Sequence, residues 1–160
     1  MWLRTAVLSL TAATMTLTGA GISAAAADLG PPTQTAPVTA GPTGPGPALL
    51  TGVRVGRHDS YDRVVFDIAG PDQPTWRARY LGGGGTIEIL FTGRGSPTRA
   101  PHASHAGPAT VPVGLTAIQS VSFTVIGAGL MTANVSTAAR HGFRVLTLSH
   151  PTRVVLDVAL

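Results

Sequence analysis

The residues with the widest chemical reach are five histidines, seven carboxylates and eleven arginines. His58 and Asp59 stand close to Tyr61 and Asp62, a grouping that could exchange protons. A turn in which Asp59 bonds its own backbone explains His58-Asp59-Ser60 more simply. A hydrolase or lyase would need His58, His141 or His150 to converge with Asp59, Asp62 or Asp157 in a concave pocket. His102 and His105 form an H-x-x-H pair, but no acidic residue lies near them in sequence. A metal needs further ligands, so the pair reads as part of a solvated loop and no metal site is expected. Arg77 and Arg79 project from one face of a strand, opposite Trp76 and Tyr80. Arg54 and Arg63 come near them if consecutive strands pair. Those four arginines would make a basic face that reads carboxylates or phosphates through the guanidinium fork. The competing reading is a solvated face balanced across strands by Asp67 and Glu88.

What is missing narrows the chemistry further. The 160 residues include no cysteine, which excludes thiol nucleophiles and thiolate metal sites. Lysine is absent as well, excluding an S-x-x-K acyl enzyme and a phosphate-binding P-loop. Neither H-E-x-x-H nor G-x-S-x-G occurs, and the one glutamate, Glu88, alternates with Ile87 and Ile89 on an expected strand. No catalytic residue and no cofactor are therefore expected. The formal charge is +4, and without Arg4 it is +3, ten arginines against seven acids. No basic cluster has the density that nucleic acid requires. A small positive balance suits an anionic polymer.

The elements that must position these residues begin well into the chain. Residues 1–4 carry a basic charge, and an uncharged run leads to Ala24-Ala25-Ala26-Ala27. Small residues at a cleavage position after a basic start and an apolar stretch describe an export signal over residues 1–27. No membrane span is expected once it is removed. Residues 28–48 are rich in Pro, Gly and Thr and lack any apolar period, so a disordered spacer is expected there.

From residue 49 onward, short runs alternate between apolar and polar. They centre on Val53, Phe66, Ala78, Ile89, Phe123, Ala133, Val145 and Leu156. Period two places each apolar set on one face of a strand. Breakers such as Gly70-Pro71-Asp72, the glycines 82–85 and His150-Pro151 separate the runs. The pattern predicts an all-β domain over residues 49–160, a small and mainly antiparallel β-sandwich of six to eight short strands. Residues 92–115 have no strand pattern until their end and read as an irregular surface loop.

Two stretches carry a resemblance to a known family. LTGVRVGRHDSYDRVVFDIAG covers residues 50–70, and FRVLTLSHPTRVVLDV covers residues 143–158. Arg57-His58-Asp59 before Tyr61-Asp62-Arg63-Val64-Val65-Phe66, together with Pro151-Thr152-Arg153 leading into Val154, are the most specific parts. The chain resembles the AMIN-like domain of secreted actinobacterial proteins. That domain is similar to the AMIN domain found beside amidase modules of cell-wall hydrolases and in secretins. The resemblance implies a small β-sandwich in the cell envelope with a localisation or wall-binding role.

The expected function is that of a secreted, non-catalytic envelope module. Its expected partner is cell-wall polymer or an envelope protein, with Arg54, Arg63, Arg77 and Arg79 as the binding candidates. A small enzyme with a His/Asp site, or a carrier of an apolar ligand between the sheets, are the alternatives.

Overall fold

The computed structural model describes residues 29–41, 49–69, 74–92, 108–127 and 130–160. The expected export signal lies outside them, as do His102 and His105 with the central part of the expected loop. The described residues form ten strands and no helix. They are β1 (Val38–Ala40), β2 (Leu49–Arg57), β3 (Tyr61–Ala69), β4 (Thr75–Tyr80) and β5 (Thr86–Thr92). After these come β6 (Thr110–Pro112), β7 (Ile118–Gly127), β8 (Leu130–Thr137), β9 (Phe143–Leu148) and β10 (Arg153–Ala159). Eight of them are the alternating runs of the sequence, so the expected all-β sandwich is the observed fold.

Two antiparallel sheets face each other. The larger has the order β1-β4-β5-β8-β7-β6, and the smaller β2-β3-β10-β9. The alternation decides which side chains meet between them. Val64, Phe66 and Ile68 of β3 point inward with Val154, Leu156 and Val158 of β10, and all are buried. They meet Ile87, Ile89 and Phe91 of β5 and Met131, Ala133 and Val135 of β8, also buried. Phe66 sets its ring edge against Phe91 and against Phe123, at centroid separations of 5.5 and 6.4 Å. Large side chains thus occupy the space between the sheets. Polar links cross it near its margin: Trp76 Nε1 donates to Thr147 Oγ1 at 2.9 Å, and Tyr80 Oη donates to the His141 carbonyl at 2.6 Å.

The two shortest strands correct the expected boundaries. Part of the expected spacer, residues 29–41, is ordered against the domain. β1 pairs with the edge of β4, Val38 opposite Ala78 and Ala40 opposite Trp76. Further back, the Phe143 amide donates to the Gln34 carbonyl at 2.7 Å. The segment therefore joins the β4 edge of one sheet to the β9 edge of the other. Composition hid this, because the strap takes its order from two strand edges and not from an apolar period of its own. Likewise β6 lies within the expected irregular loop and pairs with β7.

Candidate functional site

Inward positions are taken by the core, so candidate chemistry lies on the two outer faces and at the sandwich ends. The outer face of the smaller sheet is built from opposed charges. Arg63 on β3 lies directly opposite Asp157 on β10, which lies opposite Arg144 on β9. Arg63 donates to both oxygens of Asp157 at 2.6 and 2.9 Å. Arg144 donates to Asp157 Oδ2 at 3.1 and 2.7 Å through its Nε and Nη2. Asp157 is fully buried beneath these two guanidinium groups. Both also lie over the ring of buried Tyr61, at 5.1 and 5.4 Å from its centroid. Arg144 reaches on to the carbonyls of Leu29 and Gly30, at 3.1 and 3.3 Å. The strap is thus fastened to the same cluster. Hydrogen bonding to Asp157 holds the Arg63 guanidinium above its ordinary pKa, against the opposing effect of burial.

Arg54 occupies the β2 end of this face. It grips Asp67 with two bonds of 2.9 and 2.7 Å. Hydrogen bonding to Asp67 raises the Arg54 pKa. The pair is exposed, so its electrostatic contribution is small.

The outer face of the larger sheet has another chemistry. One row across it reads Thr39, Arg77, Leu90, Thr132 and Thr124. The next reads Arg79, Glu88, Asn134, Ser122 and Thr110. A third carries Thr86, Ser136, Ser120 and Pro112. Hydroxyls dominate these rows. Arg79 is bound to Glu88 at 2.8 Å and their charges offset. Arg77 is exposed and makes no ion pair among the described residues. The Oδ1 of Asn134 is buried and meets no hydrogen-bond donor among the described residues.

The four arginines do not form one basic face. β3 and β4 are consecutive in sequence but belong to different sheets, so Arg54 and Arg63 face away from Arg77 and Arg79. Three of the four are held by carboxylates, and two of those are the balancing Asp67 and Glu88 expected from sequence. Sequence reasoning missed Arg144 and its convergence on Asp157. The signal was the short β9–β10 hairpin, whose register sets them opposite each other.

The two buried carboxylates also part company. Asp62 and Asp157 sit on neighbouring strands one register step apart, and their side chains leave opposite faces of the sheet. Asp62 is fully buried and accepts the Ala117 and Ile118 amides through Oδ2, at 2.6 and 3.3 Å. Its Oδ1 has no hydrogen-bond partner among the described residues, and Arg57 Nε stands 4.0 Å away. His58 stacks on Tyr61 with centroids 4.4 Å apart. Among the described residues no histidine pairs with a carboxylate. No group of three His, Asp or Glu that could hold a metal occurs among them either. No described helix is long and apolar enough to cross a membrane.

A family model described as the AMIN-like domain matches residues 48–160. No curated protein and no solved structure matches the chain.

Proposed function

The chain belongs to the AMIN-like domain family, and from that premise we propose that it is a secreted, non-catalytic module that attaches to cell-wall polymer. Family membership associates the chain with the cell envelope. The finer reading rests chiefly on one observation, the contrast between the two outer faces. On one face Arg54, Arg63 and Arg144 are all bound to carboxylates, while Arg153 at its margin donates to the Pro151 carbonyl. The other presents exposed Arg77 and the exposed hydroxyls of Thr39, Thr110 and Thr124, with Thr132 of the same rows buried. A site made for catalysis brings an acid, a base or a nucleophile within reach of one reacting atom. Here the buried carboxylates are spent on arginines and backbone amides. Residues 1–27 fit an export signal, which would deliver the domain to the wall. Arg77 and Arg79 are the binding candidates that share the open face; Arg54 and Arg63 serve the opposite one.

Sedimentation with purified peptidoglycan tests the reading. The protein used begins at Asp28 and so contains every described residue. Salt-sensitive co-sedimentation is expected, because an arginine contact to an anionic polymer is screened by ions. A protein that stays in the supernatant at low salt would end the polymer reading.

A further inference from the structure

We propose that the outer edge of β2 pairs antiparallel with β2 of a second copy of this chain, joining two smaller sheets into one across a twofold axis at Val55.

A sheet edge carries a row of unpaired amides and carbonyls, a ready template for another strand. The larger sheet ends in two strands of three residues each, β1 and β6, and β6 contains Pro112, which has no amide to donate. At the β9 edge of the smaller sheet lies the strap, through the bridge from Gln34 to Phe143 and the bonds from Arg144 to Leu29 and Gly30. β2 is different. It runs for nine residues without proline, and no described residue pairs with its outer edge.

Three hydrogen bonds fix which groups that edge presents. The His58 amide donates to the Tyr61 carbonyl at 2.9 Å across the turn. Hydrogen-bonded pairs recur at every second residue of an antiparallel ladder. Gly56 opposite Arg63 and Arg54 opposite Val65 are therefore bonded pairs. On the far side of β3, Leu160 donates to the Ser60 carbonyl and Ile68 to the Thr152 carbonyl. The even residues of β3 thus serve β10 and the odd ones serve β2, in the same phase. Val53, Val55 and Arg57 are left with backbone groups directed away from the sheet.

The side chains select a second copy and its register. Val55 lies opposite buried Val64 and shares its inward face, yet it is 41% exposed. The lip of the sandwich is open where the edge is free, and a strand added there covers both. With the axis at Val55, the two Val55 side chains meet and Val53 faces the partner's Arg57. Arg54, held by Asp67, faces the partner's Gly56, which has no side chain to crowd it. An axis one residue earlier would oppose the two Arg54 side chains, a like-charge pair that is disfavoured. One further back would meet the bulge between Leu50 and Gly52.

The test uses the protein beginning at Asp28. A two-strand contact is smaller than a standard interface of about 1,600 Å², so a dissociation constant between about 1 μM and 1 mM is expected. Sedimentation equilibrium across that concentration range should show the mass rising toward that of a dimer. Val55→Lys should weaken association at least about tenfold, since an inward lysine blunts an edge. Its stem can lie along the apolar lip with the ammonium in water, and circular dichroism verifies the fold. The chain has no cysteine, so single-cysteine variants read the register directly. Two Val55→Cys chains would place their Cα atoms about 5.5 Å apart, within disulfide range. Thr51→Cys, equally on β2 and exposed, would lie eight residue steps from its counterpart, roughly 26 Å. Under mild oxidation Val55→Cys should form a linked dimer at least about tenfold faster than Thr51→Cys. A wild type that stays monomeric to about 1 mM would overturn the proposal. So would a folded Val55→Lys variant that associates like wild type, or equal linking rates at residues 51 and 55.

Discussion

Arg63 and Asp157 face each other across β3 and β10, joined by two bonds of 2.6 and 2.9 Å with the carboxylate fully buried. A lone buried carboxylate is strongly disfavoured. Asp157 escapes that cost because Arg144 binds it from β9 as well. Three adjacent strands are thus tied together on their outer face. Side chains of Arg63 and Arg144 remain 18% and 21% exposed, which lets water share the excess positive charge.

Asp157→Ala should therefore be among the most destabilising polar substitutions in the domain. It strands two guanidinium groups over Tyr61. Removing one partner of a buried pair costs about 3–5 kcal/mol, and the residual exposure of the arginines lowers the expectation to about 2–4 kcal/mol. Asp67→Ala, which breaks only the exposed pair with Arg54, should cost less than about 1 kcal/mol. Urea denaturation midpoints of the two variants check the ordering. Equal midpoints would show that burial of Asp157 carries no energetic weight.

Asp62 holds a different kind of structure in place. Its Oδ2 satisfies the Ala117 and Ile118 amides where the chain enters β7. Asp62→Ala leaves both donors without their acceptor. Each buried unsatisfied group costs about 1–3 kcal/mol, so a loss of about 2–4 kcal/mol is expected after partial rehydration. Hydrogen exchange at Ala117 and Ile118 should accelerate more than exchange at Val154 in the centre of the smaller sheet. Uniform acceleration would mean that Asp62 supports the whole fold and not this junction.

Strand positions were legible in the sequence because period two survives wherever one face is buried. Val64, Phe66 and Ile68 announce β3 without any tertiary information. Sheet membership was not legible. Whether the chain pairs β4 with β3 or crosses to a second sheet depends on packing, and that choice sends Arg63 and Arg77 to opposite sides of the molecule. Pairings inside one hairpin were within reach, since Arg79 and Glu88 flank a short glycine turn. The convergence of Arg144 and Arg63 on Asp157 needed the order β3-β10-β9, which joins residues 94 positions apart. The strap left no signal, for its hydrogen bonds go to edges that only the folded sheets present.

Tyr80 gives the domain a pH response on the alkaline side. Burial pushes its phenol above the ordinary value of 10.0. The folded state then keeps a proton that the unfolded chain releases. The associated stability is complete below about pH 10 and is lost as pH rises through the raised folded value. Tyr80→Phe should remove this component of the alkaline decline. It should also cost about 1 kcal/mol at neutral pH, because the His141 carbonyl loses its donor. Denaturation midpoints between about pH 8 and pH 11 for both proteins supply the comparison. Parallel curves would show that Tyr80 ionises in the folded state as it does in the unfolded chain.

Gly142 decides whether the strap can lie where it does. A Cβ at this position would press on the Pro32 carbonyl and come within 2.7 Å of Thr33 Cα, both strap backbone atoms. Backbone cannot swing aside as a flexible side chain does, so Gly142→Ala should lift the strap around residues 32–33. The contacts on either side, Gln34 to Phe143 and Leu29 and Gly30 to Arg144, would loosen with it. The sheets themselves lose no core side chain. Exchange of the Phe143 amide is expected to rise at least about tenfold, while Val154 and Leu156 keep their protection, the behaviour of a local opening. Loss of protection across β10 would instead make the strap part of the cooperative fold, and unchanged exchange at Phe143 would show that the strap does not depend on the missing side chain at residue 142.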